Sequence, residues 1–170
     1  GRERVIAGKT YVGGVLRGYA SESFCYSVAE EIRYAGKPVY VYQLGDHDPS
    51  GLDAWRAFQS RVTEFLGADS HEYVDEIGTR RELVHFERLA VTDEQITEYG
   101  LPTRPTKTTD TRSSGFRGNS VEVDAIRPGV LRELVEKAIT QHIAPEALRL
   151  HRIAEDSERD VLLRMRGELS

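Results

Sequence analysis

The sequence predicts an α/β protein, a mostly parallel sheet with helices on both faces, followed by a C-terminal helical arm. Three observations carry this prediction. Val39-Tyr40-Val41-Tyr42-Gln43-Leu44 is a run of residues that favour a pleated, buried surface. Helical apolar spacing flanks it, with Phe24, Val28 and Ile32 before and Leu52, Trp55, Phe58, Val62 and Phe65 after. Strand and helix in alternation is the pattern of a parallel sheet, because parallel strands need a crossover between them.

Taken in order, Val5 to Ala7 and Tyr11 to Leu16 read as short strands interrupted by glycines. Ser21 and Ser23 can cap a helix that runs to Ala35, where Gly36 and Pro38 stop it. The strand Val39 to Leu44 follows and is expected in the interior of the sheet. Pro49 and Ser50 then suit the first turn and cap of a second helix. Leu83 to Ala90 reads as a strand, and Thr92-Asp93-Glu94-Gln95 has the capping-box form for a short helix to Tyr99. Pro102 to Asn119 is a long polar loop, and Val121-Glu122-Val123-Asp124 alternates like a half-buried strand. Pro128 opens a helix bearing Leu131, Leu134, Val135 and Ala138, and Pro145 opens a last one to Gly167. The expected organisation is one α/β domain over residues 1–144, containing the loop 102–119, and a helix over 145–170.

Composition narrows the function. The 170 residues suffice for one domain with a sizeable core, at 39% hydrophobic and 30% charged. A net charge of −5 excludes binding nucleic acid by bulk charge, so any such contact must come from a local basic patch. The single cysteine, Cys25, permits no internal disulfide and no cysteine-based zinc site. His71, His85, His142 and His151 show no metal spacing. No apolar run approaches the roughly 20 residues that span a bilayer, and no signal peptide is visible, so a cytoplasmic protein is expected.

The chemistry concentrates in Gly45-Asp46-His47-Asp48-Pro49-Ser50-Gly51. Two carboxylates at the carboxyl end of a buried strand lie at the edge where open α/β sheets bind ligands. They repel each other unless a cation or proton sits between them. Hard oxygen ligands at this spacing suit Mg²⁺, which is usually held by one or two carboxylates plus substrate phosphates. The competing reading is a solvated strand-to-helix turn with Asp48 as a helix cap. His47, between the acids, points to the other side of an extended backbone, towards substrate or water.

The motif "GDHDPSG" resembles the acidic motif of the Toprim domain, as found in the A subunit of type IIB topoisomerases (topoisomerase VI) and its Spo11-like relatives. The family pattern is Asp-x-Asp-Pro-x-Gly after an apolar strand. Arg17-Gly18-Tyr19-Ala20-Ser21 resembles the family's glycine-tyrosine strand end, and Glu122-Val123-Asp124-Ala125-Ile126 its later acidic strand. The group it looks most like is of prophage and actinobacterial type. The resemblance implies a Rossmann-like Toprim fold and an Mg²⁺-binding domain, with Mn²⁺ as substitute, acting on DNA phosphodiester bonds. Asp46, Asp48 and Glu122 would be its metal ligands. The family also uses a glutamate at the end of its first strand, expected here on residues preceding Gly1. Glu22, at a helix N-terminus facing the same edge, is the candidate within the chain, which makes Glu22, Asp46 and Asp48 the catalytic set.

The family's nucleophile is a tyrosine on a separate winged-helix domain, and none of the eight tyrosines takes that role. The isolated chain is therefore expected to be incomplete as an enzyme, a second subunit or a second copy supplying the missing parts. The loop cations Arg104, Lys107, Arg112 and Arg117, with neighbouring Thr and Ser hydroxyls, suit contacts to DNA phosphates. A solvated loop is the alternative there, as a surface-facing acidic pair is for Glu122 and Asp124. Other readings of the whole are a nuclease using activated water, a non-catalytic DNA- or partner-binding module, and a haloacid-dehalogenase-type phosphatase. The last fits Pro49-Ser50-Gly51 poorly.

Overall fold

The computed structural model describes residues 3–6, 9–12, 19–67, 72–74, 77–105 and 119–168. The chain forms two compact units, one of residues 16–134 and one of residues 1–15 with 135–170.

In the second of these, β1 (Glu3–Ile6) and β2 (Lys9–Val12) pair antiparallel, with Glu3 opposite Val12 and Ile6 opposite Lys9. The strand expected from Tyr11 thus includes Val12, and its remainder to Leu16 lies outside the described residues.

In the larger unit, α1 (Glu22–Ala35) begins where Ser21 Oγ accepts the Phe24 N–H at 3.2 Å. It ends at Gly36, whose φ of 56° is the left-handed conformation that glycine adopts without a steric cost. β3 (Val39–Leu44) follows, and α2 (Pro49–Leu66) starts with Asp48 as its N-cap and Pro49 in its first turn. A short antiparallel pair, β4 (Glu72–Val74) and β5 (Arg80–Glu82), comes before β6 (Val84–Ala90). With three residues each, β4 and β5 are too short to carry a readable period. α3 (Asp93–Glu98) has the full capping box at Thr92 and Gln95, and a 3₁₀ turn covers Val123–Ala125.

β3 and β6 pair in parallel from Val39 opposite Val84 to Gln43 opposite Arg88, after which the register slips so that Leu44 faces Ala90. α2 lies in the crossover connection that parallel pairing requires. Val39, Val41, Val84 and Phe86 pack against a core of Cys25, Ala29 and Ile32 from α1, Trp55, Phe58, Val62 and Leu66 from α2, and Leu83. The rings of this core meet closely: Trp55 stacks on Phe58 at 5.6 Å, and both meet Phe86 edge-on. Cys25 is 1% exposed, the core residue expected, and burial raises its thiol pKa.

Both long helices of this unit thus join one cluster with the inward residues of the strands, while Tyr40 and Leu44 at alternate positions of β3 are exposed. The architecture is mixed α/β, but among the described residues the parallel sheet has two strands. There β3 pairs on one side only and is not the interior strand expected. α1 and α2 meet one face of this sheet, not opposite faces, because Val39, Val41, Val84 and Phe86 supply a single apolar side. A second cluster forms around the carboxyl end of β6, from Ala90, Val91, Val121 and Ile126 with Ile96, Leu101, Val130, Leu131 and Leu134.

α4 (Pro128–Thr140) starts in the larger unit and ends in the smaller, and α5 (Pro145–Glu168) starts at the proline expected to open it. Within the smaller unit Arg152 of α5 pairs with Glu136 of α4 at 3.0 Å. No helix among the described residues is long and apolar enough to cross a membrane.

Candidate functional site

Asp46 and Asp48 stand where the strand β3 gives way to α2, and both are half-buried. Each carboxylate is anchored by one backbone N–H. Asp46 Oδ1 accepts from Val123 at 2.8 Å, and Asp48 Oδ1 accepts from Gly51 at 2.6 Å. The second bond is the helix cap, the role that the competing reading gives Asp48.

Gly51 closes the motif for a steric reason. A Cβ built on it would lie 2.6 Å from the Asp46 carbonyl oxygen and 3.1 Å from Asp48 Oδ1. Only glycine lets the first turn of α2 approach the strand end this closely.

The segment after the long loop docks directly on the motif. His47 and Val121 exchange backbone hydrogen bonds of 2.7 and 3.0 Å, and Arg104 and Ser120 exchange two of 2.8 Å. The expected strand over Val121 to Asp124 is therefore a single bridge followed by the 3₁₀ turn that carries the Val123 amide to Asp46. Glu122 and Asp124 flank this amide and are exposed; Glu122 pairs with Arg104 at 2.6 Å.

His47 turns inward and is 7% exposed. Its Nδ1 lies 3.3 Å from the Val91 carbonyl and its Nε2 3.3 Å from Asp93 Oδ1. The ring ties the acidic turn to the start of α3, in place of the substrate or water contact weighed from sequence.

Arg88, which no sequence motif singles out, is the cation that the structure places against the backbone of the acidic turn. Its guanidinium donates to Gln43 Oε1 at 2.5 Å, Gly45 O at 2.7 Å, Asp46 O at 2.6 Å and Val91 O at 3.1 Å. Burial lowers its pKa, and the charges of Asp46 and Asp48 work against that shift. A signal was present: Arg88 continues the alternation of Val84 and Phe86, both of which face the core.

Glu22, in the first turn of α1, pairs with Arg61 of α2 at 2.9 Å. Nearby in sequence, the Tyr19 hydroxyl donates to Asp53 Oδ2 at 2.5 Å. Of the loop cations, Arg104 is described and is tied to Glu122; Lys107, Arg112 and Arg117 lie outside the described residues.

Among the described residues no group of three or more His, Cys, Asp or Glu side chains is arranged to hold a metal ion. The carboxylates of Asp46 and Asp48 are hard oxygen donors of the class that divalent cations take, and by themselves do not form an all-protein cage. Comparison with family models, with curated proteins and with solved structures finds no match to this chain.

Proposed function

We propose that this chain is an Mg²⁺-binding, Toprim-like domain of a topoisomerase VI A-type protein that cleaves DNA at its phosphodiester bonds. The observation that carries the reading is the acidic pair at the carboxyl end of β3, each carboxylate held by a backbone N–H. Asp46 and Asp48 would hold Mg²⁺ or Mn²⁺ with water and substrate completing the shell. Glu122 and Glu22, paired with Arg104 and Arg61, do not join them in a three-carboxylate group among the described residues. When bound, such a cation neutralises a scissile phosphate and stabilises the leaving oxygen. The chain's own part is to aim the two carboxylates and to offer the N-terminus of α2 to an anion. The nucleophile comes from another segment, a partner subunit or a second copy, or is water in a nuclease version of the same site.

The second reading is a non-catalytic DNA- or partner-binding module of the same fold. It is favoured by the cap bond of Asp48, which gives that residue a purely structural use. Calorimetric titration with Mn²⁺ separates the two. Asp46→Asn with Asp48→Asn should abolish binding, and unchanged affinity would make the acids a turn and nothing more. In a plasmid assay the isolated chain should leave DNA intact where its longest natural form cleaves. Efficient cleavage by the isolated chain, lost in Asp46→Asn, would show that it holds a complete site.

A further inference from the structure

Arg88 takes no part in ligand binding in the reading above, yet its surroundings define a task. It sits on β6 opposite Gln43, one step before the ladder slips by a residue. Its four acceptors come from the end of β3, from the acidic turn and from the residue after β6. All four are uncharged, so no bonded carboxylate neutralises the guanidinium, and the acids that act on it electrostatically are Asp46 and Asp48. One acceptor, Asp46 O, is the same atom that a Cβ at position 51 would strike. The fork therefore holds the carbonyl that sets how closely the two halves of the acidic turn approach.

We propose that Arg88 is a positioning residue for the acidic pair, its planar fork fixing the Gly45–Asp46 backbone from which the pair projects. The proposal rests on the reading of Asp46 and Asp48 as a divalent-cation site. A lysine supplies the charge as a point donor and lacks the rigid fork, so Arg88→Lys removes the positioning and keeps the electrostatics.

The experiment titrates the full chain with Mn²⁺ by calorimetry, alongside thermal melts and amide hydrogen exchange at Gly51. Arg88→Lys should weaken Mn²⁺ binding by about tenfold or more, as loss of groups that orient metal ligands commonly does. Exchange at Gly51, whose N–H is bonded to Asp48 Oδ1, should quicken at the same time. Ile32→Val, a destabilised control within the core, should leave Mn²⁺ affinity unchanged; an equal loss there would reduce Arg88 to a structural residue. Gln43→Leu removes one acceptor of the fork with the charge intact, and should weaken binding in the same direction even if Arg88→Lys does not fold. Unchanged Mn²⁺ affinity in both variants overturns the proposal. If the parent takes no Mn²⁺, the cation-site reading fails, and Gly51 exchange alone then judges Arg88: no change in either variant overturns its positioning role.

Discussion

Asp48 serves two ends that a pair of substitutions can separate. Its side chain caps α2 through the Gly51 N–H, and in the proposed cation site its carboxylate would also be a ligand. Asn caps a helix about as well as Asp, whereas Ala loses typically ~1 kcal/mol at such a position. Asp48→Asn should therefore melt like the parent and lose Mn²⁺, while Asp48→Ala should lose both stability and metal. Equal stability of the Ala variant in denaturant titration would show that the cap bond contributes nothing. Gly51 is constrained by space and not by its dihedral angles. Ala there must push against a carbonyl oxygen, an obstacle that cannot rotate away as a side chain can. Overpacking of this kind costs about 1–3 kcal/mol, so Gly51→Ala should shift the denaturation midpoint down. An unshifted midpoint would mean that the turn yields freely.

At the level of elements, α1 and α2 are held by the same cluster that backs β3 and β6, and Ile32 is among its largest fully buried side chains. Ile32→Ala should destabilise the fold by about 2–5 kcal/mol, the range for large-to-small changes in a core. A loss under about 1 kcal/mol in equilibrium unfolding would contradict the packing described for α1. Further ties run between the two helices, from Glu22 to Arg61 and from Arg33 to the Phe65 carbonyl, with Tyr26 edge-on to Phe65 at 5.5 Å. The first of these joins exposed or half-exposed side chains, so it orients more than it stabilises. The starts and stops of α1, β3, α3 and α5 and the start of α2 were legible in the sequence, because capping residues, prolines and apolar spacing act within a few residues of each other. β4 and β5 were not.

For the whole molecule, the acidic balance makes any DNA affinity a property of the loop. Four phosphate contacts from Arg104, Lys107, Arg112 and Arg117 would give a slope of log affinity against log salt of at most about −3.6. Arg104 already pairs with Glu122 at 2.6 Å, so it should contribute least. Arg104→Ala alone is expected to change the DNA Kd by less than about twofold, whereas replacing all four should remove both binding and most of the salt slope. A fourfold-substituted chain that binds DNA like the parent would place the contact elsewhere.

By itself the sequence determined the identity of the long elements, their caps, and the position of Asp46 and Asp48 at the end of a strand. These follow from local rules, in which apolar spacing, capping residues and prolines act over three or four positions. Only the tertiary structure decided what surrounds the pair. Val123 reaches Asp46 across 77 positions, Arg88 reaches the Asp46 carbonyl across 42, and His47 meets the Val91 carbonyl across 44. The groups that meet there are largely backbone N–H and C=O, which every residue but proline carries in full, so no side-chain pattern announces them. Their pairing is set by which segments the two cores bring together, and that is a property of packing along the whole chain.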